Sequence, residues 1–146
     1  MNFKSSLVFL PLVLSSIVNR IYGNEYEYPP RVSYQPPSYV FGVVWTIIYL
    51  LYGVFIYAVI ESSEKYKQSI IILYFFNLAL NLHWSPLVFK NKEYVLGLYS
   101  MFILLITLVV IILLLDNTIH KIMLVPYMSW IVFAILLQIE IIRNKG

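Results

Sequence analysis

The chain has 146 residues, of which 61% are hydrophobic and 12% charged, and its mean hydropathy is +0.82. A soluble fold this small cannot bury so many apolar side chains, and a disordered chain would not carry them. The formal charge of +3 leaves no basic footprint for nucleic acid, and the lack of cysteine rules out disulfides, thiolate nucleophiles and Cys-ligated zinc.

An all-α integral membrane protein is the class that remains. The hydrocarbon core is about 30 Å thick and takes roughly 20 apolar residues per helix. Five stretches qualify, at about 3–22, 39–60, 69–89, 94–115 and 120–142. Little chain is left for loops, so residues 1–146 read as a single bundle of five transmembrane helices. The apolar runs are continuous, without the alternation of an outer-membrane barrel. Tyr22, Tyr39, Tyr66 and Tyr94 lie near span ends, as an aromatic belt would.

In the first span, Lys4, the run Leu7–Leu14 and Ser15–Ser16 also fit a cleavable signal peptide. The apolar run continues through Val18 and Ile21, with Pro11 inside it, which favours a retained helix. Residues 23–38 follow, with Pro29, Pro30, Pro36 and Pro37 among Tyr26, Tyr28 and Tyr34. Proline denies this stretch a regular helix. It is either a surface linker or a lid whose tyrosines pack on apolar surface and hydrogen-bond.

The second span carries Trp45, Tyr49 and Tyr52 at helical spacing. The third places Asn77, Asn81 and Trp84 on one face, with His83 pointing elsewhere. The asparagines are either glue between helices or polar contacts in a ligand cavity. Pro86 is expected to end this span. In the fifth, Pro126 should kink the helix, and Tyr127, Trp130, Ala134 and Gln138 form a stripe. Aromatic stripes commonly pack a core, but three that converge also suit a flat apolar ligand.

The catalytic search is negative. No paired carboxylates lie mid-membrane, and Glu140 is expected to reach the surface or pair with Arg143. His83 and His120 belong to no cluster with metal-ligand spacing, so no metal and no cofactor is expected. Lys4, Lys65, Lys67 and Lys121 fall on one side, and Arg20, Arg31, Lys90, Lys92, Arg143 and Lys145 on the other. That small excess puts the long loop and the carboxyl terminus in the cytosol.

Three segments resemble the TspO/MBR family of tryptophan-rich sensory proteins and mitochondrial translocator proteins. Pro36–Tyr49 is similar to its PP-x-WVFGPVWTxLY signature, Leu78–Phe89 to LALNxxWSPLFF, and Leu124–Ala134 to LVPYxxWxxFA. Here Tyr39 stands for a Trp of the signature, Val43 for its Pro, and Gln138 for a usual Asn. The resemblance implies a five-helix bundle, often a homodimer, that acts as a receptor or sensor and contributes to transport. The implied ligands are porphyrins, sterols and related apolar molecules, held under the first loop. By motif position the ligand would meet Trp45, Tyr49, Asn81, Trp84, Trp130 and Ala134, with Tyr26 from the loop. Asn77 and Tyr127 join these from the stripes. An enzyme that degrades protoporphyrin in light, through Trp45 and Trp130, is the alternative, and a structural protein without a ligand is a third. Sterol binding has less support, because the proposed motif needs a basic residue soon after its Tyr and none follows Tyr127 before Arg143. In a eukaryote the resemblance implies the mitochondrial outer membrane.

Overall fold

A computed structural model describes residues 2–145, and Lys145, one of the cations in the orientation count, has its side chain outside that description. Among the described residues every regular element is helical. Five helices are long and apolar enough to cross a membrane: α1 (Phe3–Glu25), α2 (Ser38–Ile60), α3 (Lys67–Lys90), α4 (Tyr94–Leu114) and α5 (Thr118–Asn144). In lipid each backbone polar group must be satisfied within its own segment, which makes helices of these runs. Most ends lie one to three residues outside the apolar stretches, because polar residues such as Glu25, Lys67 and Asn144 extend the turns beyond the hydrocarbon. The start of α5 is fixed by Asn117, whose side chain accepts from the Ile119 amide at 2.8 Å.

The helices run up and down, and cross-connections mark the two ends. At one end Lys4 pairs with Glu61 at 3.2 Å, and the Lys65 amide donates to Asp116 at 3.1 Å. At the other, Lys90 pairs with Glu25 at 3.0 Å and Lys92 with Glu27 at 2.6 Å. Glu140 pairs with Arg143 at 3.3 Å, as their spacing leads one to expect.

Each intramembrane proline leaves a different mark. Ahead of Pro11 the backbone tightens into a 3-10 turn over Leu7–Phe9. Ahead of Pro126 the helix breaks at Leu124, whose amide donates three residues back to Lys121 at 3.1 Å. The expectation for Pro86 is corrected: α3 does not end there but widens into a π turn over Pro86–Lys90. Pro86 cannot donate to the Leu82 carbonyl, and the chain beyond it takes a wider register, the Asn91 amide donating five residues back to the Pro86 carbonyl at 3.0 Å. The helix ends at Lys90, and the link to α4 turns through Lys92, which has a left-handed φ of 59°.

Two glycines permit close approach. A Cβ on Gly53 would overlap the Val8 carbonyl, so α1 presses its 3-10 turn onto the α2 backbone. A Cβ on Gly97 would overlap the Val88 side chain, where the end of α3 meets α4. The core is built on Tyr52, Phe55, Ile56, Tyr74, Leu104, Leu108 and Ile131.

Candidate ligand-binding site

The interior holds two joined layers. The deeper one is a hydrogen-bonded network centred on Asn77, which is fully buried. Its carbonyl oxygen accepts from Tyr52 at 3.0 Å and Tyr127 at 2.9 Å, and its amide donates to Thr107 at 2.7 Å and the Leu104 carbonyl at 3.2 Å. One turn along α3, Asn81 donates to the Tyr127 hydroxyl at 2.7 Å and accepts from Tyr49 at 2.6 Å. Two amides and three phenols thus tie α2, α3, α4 and α5 together. In this arrangement the asparagines act as glue between helices, with their hydrogen bonds made to protein.

The second layer is aromatic and is built on α2 and α5. Trp45 stacks on Tyr49 with centroids 5.3 Å apart, and meets Tyr127 edge-on at 6.2 Å and Trp130 edge-on at 6.5 Å. Trp130 also touches Phe41 at 5.6 Å and Phe133 at 5.2 Å. Both indoles are half-buried, and these side chains hold each other by ring contact. Ala134, one turn beyond Trp130 on α5, is half-buried and packs on the same core.

Trp84 stands apart from this cluster. Its indole donates to the Gly97 carbonyl at 3.2 Å and packs edge-on against Phe89 at 5.3 Å. Phe89 in turn carries the loop: Tyr26 lies 5.8 Å and Tyr28 4.7 Å from its ring. Trp84 therefore supports the seat of the loop on Phe89 and makes no ring contact with Trp45 or Trp130 among the described residues. Gln138, the last member of the α5 stripe, donates to the Tyr94 carbonyl at 2.9 Å.

Residues 26–37 are tied down at several points. The Glu27 amide donates to the Phe89 carbonyl at 2.9 Å, and the Tyr34 hydroxyl donates to the Leu136 carbonyl at 2.9 Å. Arg31 holds the turn by donating to the Gln35 and Pro36 carbonyls at 3.0 and 2.7 Å. Lys92 holds the Glu27 carboxyl below its ordinary range, and Glu27 raises Lys92 in return. The Tyr26 hydroxyl is buried without a hydrogen-bond partner, and burial, with Tyr28 and Tyr22 alongside, pushes it above the ordinary phenol range.

One cluster escaped sequence reasoning. At the opposite end of the bundle Glu64 is buried and accepts from the Asp116 and Asn117 amides at 2.7 and 3.1 Å, with His120 Nδ1 at 2.8 Å. Burial acts to raise its carboxyl, but the Asp116 amide, His120 and the Asn117 amide outweigh it and hold the group below the usual carboxylate range. The partners lie more than 50 residues away in sequence, so no local spacing could signal them. His83 is exposed and belongs to neither cluster.

Five apolar helices around an aromatic and amide interior define an integral, multi-pass membrane protein. The chain belongs to the TspO/MBR family, whose profile matches residues 7–143. It is similar to the tryptophan-rich protein TspO of Archaeoglobus fulgidus, at 30% identity over 109 residues, covering 74% of this chain and 71% of that protein. It is also similar to the tryptophan-rich protein TspO of Chlorobaculum tepidum, at 30% identity over 118 residues, covering 77% and 74% respectively.

Proposed function

We propose that the protein is a membrane receptor for porphyrins or similar flat apolar molecules, taken up between the aromatic layer and the loop. The observation that carries this reading is the cluster of Trp45, Tyr49, Tyr127 and Trp130, in which the two indoles are half-open and held by ring contacts while the two phenols are anchored to Asn81 and Asn77. Ring faces that meet only other rings can exchange those contacts for a planar ligand at small cost, because stacking on a porphyrin replaces like with like. The amides behind them would orient any polar edge that reaches Asn81, at the expense of its bond to Tyr49. Residues 26–37 serve as the lid, and passage requires release from Phe89 and Leu136. Titration of the purified protein with protoporphyrin in darkness, followed by tryptophan quenching, tests the reading. Saturable quenching is expected, and quenching no stronger than that of free tryptophan would end it.

The 6.5 Å separation of the perpendicular Trp45 and Trp130 rings favours a second reading. Two oxidisable indoles flank the space a photosensitiser would occupy, so illumination in oxygen would degrade bound porphyrin beside them. Replacing both with Phe keeps the ring volume. The double variant should still bind but lose most of the light-dependent porphyrin loss. Equal loss with the parent, the variant and albumin would leave a receptor without turnover.

A further inference from the structure

The two halves of the long loop are fixed unequally. Glu25–Tyr28 form a seat against the end of α3. The Glu27 amide donates to the Phe89 carbonyl, and Tyr26 and Tyr28 pack on the Phe89 ring. Glu25 and Glu27 pair with Lys90 and Lys92. Lys90 also lies 4.9 Å from the centre of the Tyr22 ring, which ties the seat to the end of α1. The other half has two attachments to the bundle among the described residues. One is the Tyr34 hydroxyl on the Leu136 carbonyl, and the other is the side chain of Val32, which is 5% exposed.

Between these attachments the chain is stiff. Arg31 donates to the Gln35 and Pro36 carbonyls, the Val32 amide donates to the Gln35 side-chain oxygen at 3.2 Å, and the Gln35 amide donates to the Val32 carbonyl at 3.1 Å. Residues 31–36 therefore move as one stapled turn. Pro29–Pro30 and Pro36–Pro37 flank it, and paired prolines make short extended struts with fixed φ. The turn can swing about a single bond at the base of a strut while the seat stays in place. The reverse motion is blocked. Glu25–Tyr28 are held by α1 on one side and, on the other, by a stiff strut to a turn that is latched by Tyr34 and plugged by Val32.

We propose that the loop opens in two ordered steps: the Tyr34 latch and the Val32 plug release first, and the seat on Phe89 only after them. The first step breaks a neutral hydrogen bond and exposes one apolar side chain, so salt has little hold on it. The second breaks two exposed ion pairs, which salt screens. The consequence for ligand exchange rests on the lid reading: ionic strength sets the last barrier to passage.

The test needs no ligand. Val32→Cys gives the full-length chain its single thiol, and the protein is placed in phosphatidylcholine nanodiscs. Labelling of that thiol by iodoacetamide reports the first step. Hydrogen exchange of the Glu27 amide, read by NMR, reports the second, and both rates are referred to an unstructured peptide. Tyr34→Phe should raise both rates about two- to threefold, because the first step precedes the second. Lys92→Gln should raise Glu27 exchange about threefold and leave the labelling rate unchanged. Salt at about 1 M, where the screening length falls to about 3 Å, should act as Lys92→Gln does. Glu27 exchange that ignores Tyr34→Phe would mean that the two halves open independently. Labelling that rises with Lys92→Gln would mean that the loop opens in one piece. Either result overturns the order. Porphyrin is absent throughout, so such a failure leaves the receptor reading as it was, and a failure of porphyrin to bind leaves the order standing.

Discussion

The two interior layers solve the burial of polar and aromatic groups in opposite ways. Around Asn77, the Tyr52, Tyr127 and Thr107 side chains are saturated by one another. Around Trp45 and Trp130, the contacts are between ring faces and edges, and nothing directional fixes them. A hydrogen-bonded network is expensive to open, because each partner left behind is buried without a mate. A ring cluster is cheap to open if another ring replaces the one removed. The deep layer is therefore a scaffold, and the aromatic layer is where a ligand can be exchanged for self-contact.

The largest expected effect belongs to the scaffold. Asn77→Ala removes one partner each from Tyr52, Tyr127 and Thr107 at once, leaving them the Tyr74 carbonyl, Asn81 and the Leu104 carbonyl, and should cost about 2 kcal/mol. Unfolding in a graded detergent series measures this, and a loss below a few tenths would mean the network relaxes freely. Next comes the Glu64 cluster at the far end. Its carboxyl lies lower in the folded protein than in the unfolded chain. Its stabilisation is therefore fully present above the unfolded carboxylate range and disappears as pH falls through the folded value. Glu64→Gln should lose about 1 kcal/mol near neutral pH and should flatten part of the parent's loss of melting temperature on acidification. Parallel melting curves against pH would show that Glu64 contributes nothing. The smallest effect is at the lid. Tyr34→Phe removes the bond to Leu136 and should speed porphyrin release about two- to threefold, equivalent to about 0.5 kcal/mol. Stopped-flow dissociation reads this, and unchanged release would make the loop a linker.

The bundle was legible because its signal is composition: runs of about twenty apolar residues become helices in lipid whatever surrounds them. The convergence of Trp45, Tyr49, Tyr127 and Trp130 could be anticipated from stripes at helical spacing on α2 and α5. Sequence could not settle whether Asn77 and Asn81 were glue or contacts, since that depends on which phenols face them across the bundle. Pro86 misled because a helix can absorb a proline's missing donor by widening: the Asn91 amide donates five residues back to the Pro86 carbonyl and the turns continue to Lys90. Glu64 and His120 were unreadable because a loop residue and the first turn of α5, 56 residues apart, create their partnership.

The central claim is that ligand contact and scaffold are separate layers, and one paired titration tests it most directly. Protoporphyrin dissociation constants are measured in darkness for the parent, Trp130→Ala and Thr107→Val. Trp130→Ala removes a ring of the aromatic layer and should weaken binding about tenfold or more, as loss of an anchor does. Thr107→Val removes the hydroxyl that accepts from Asn77 while keeping its volume, so it should lower stability yet change affinity less than twofold. If Thr107→Val weakens binding as much as Trp130→Ala, or if Trp130→Ala binds like the parent, the separation into two layers is wrong.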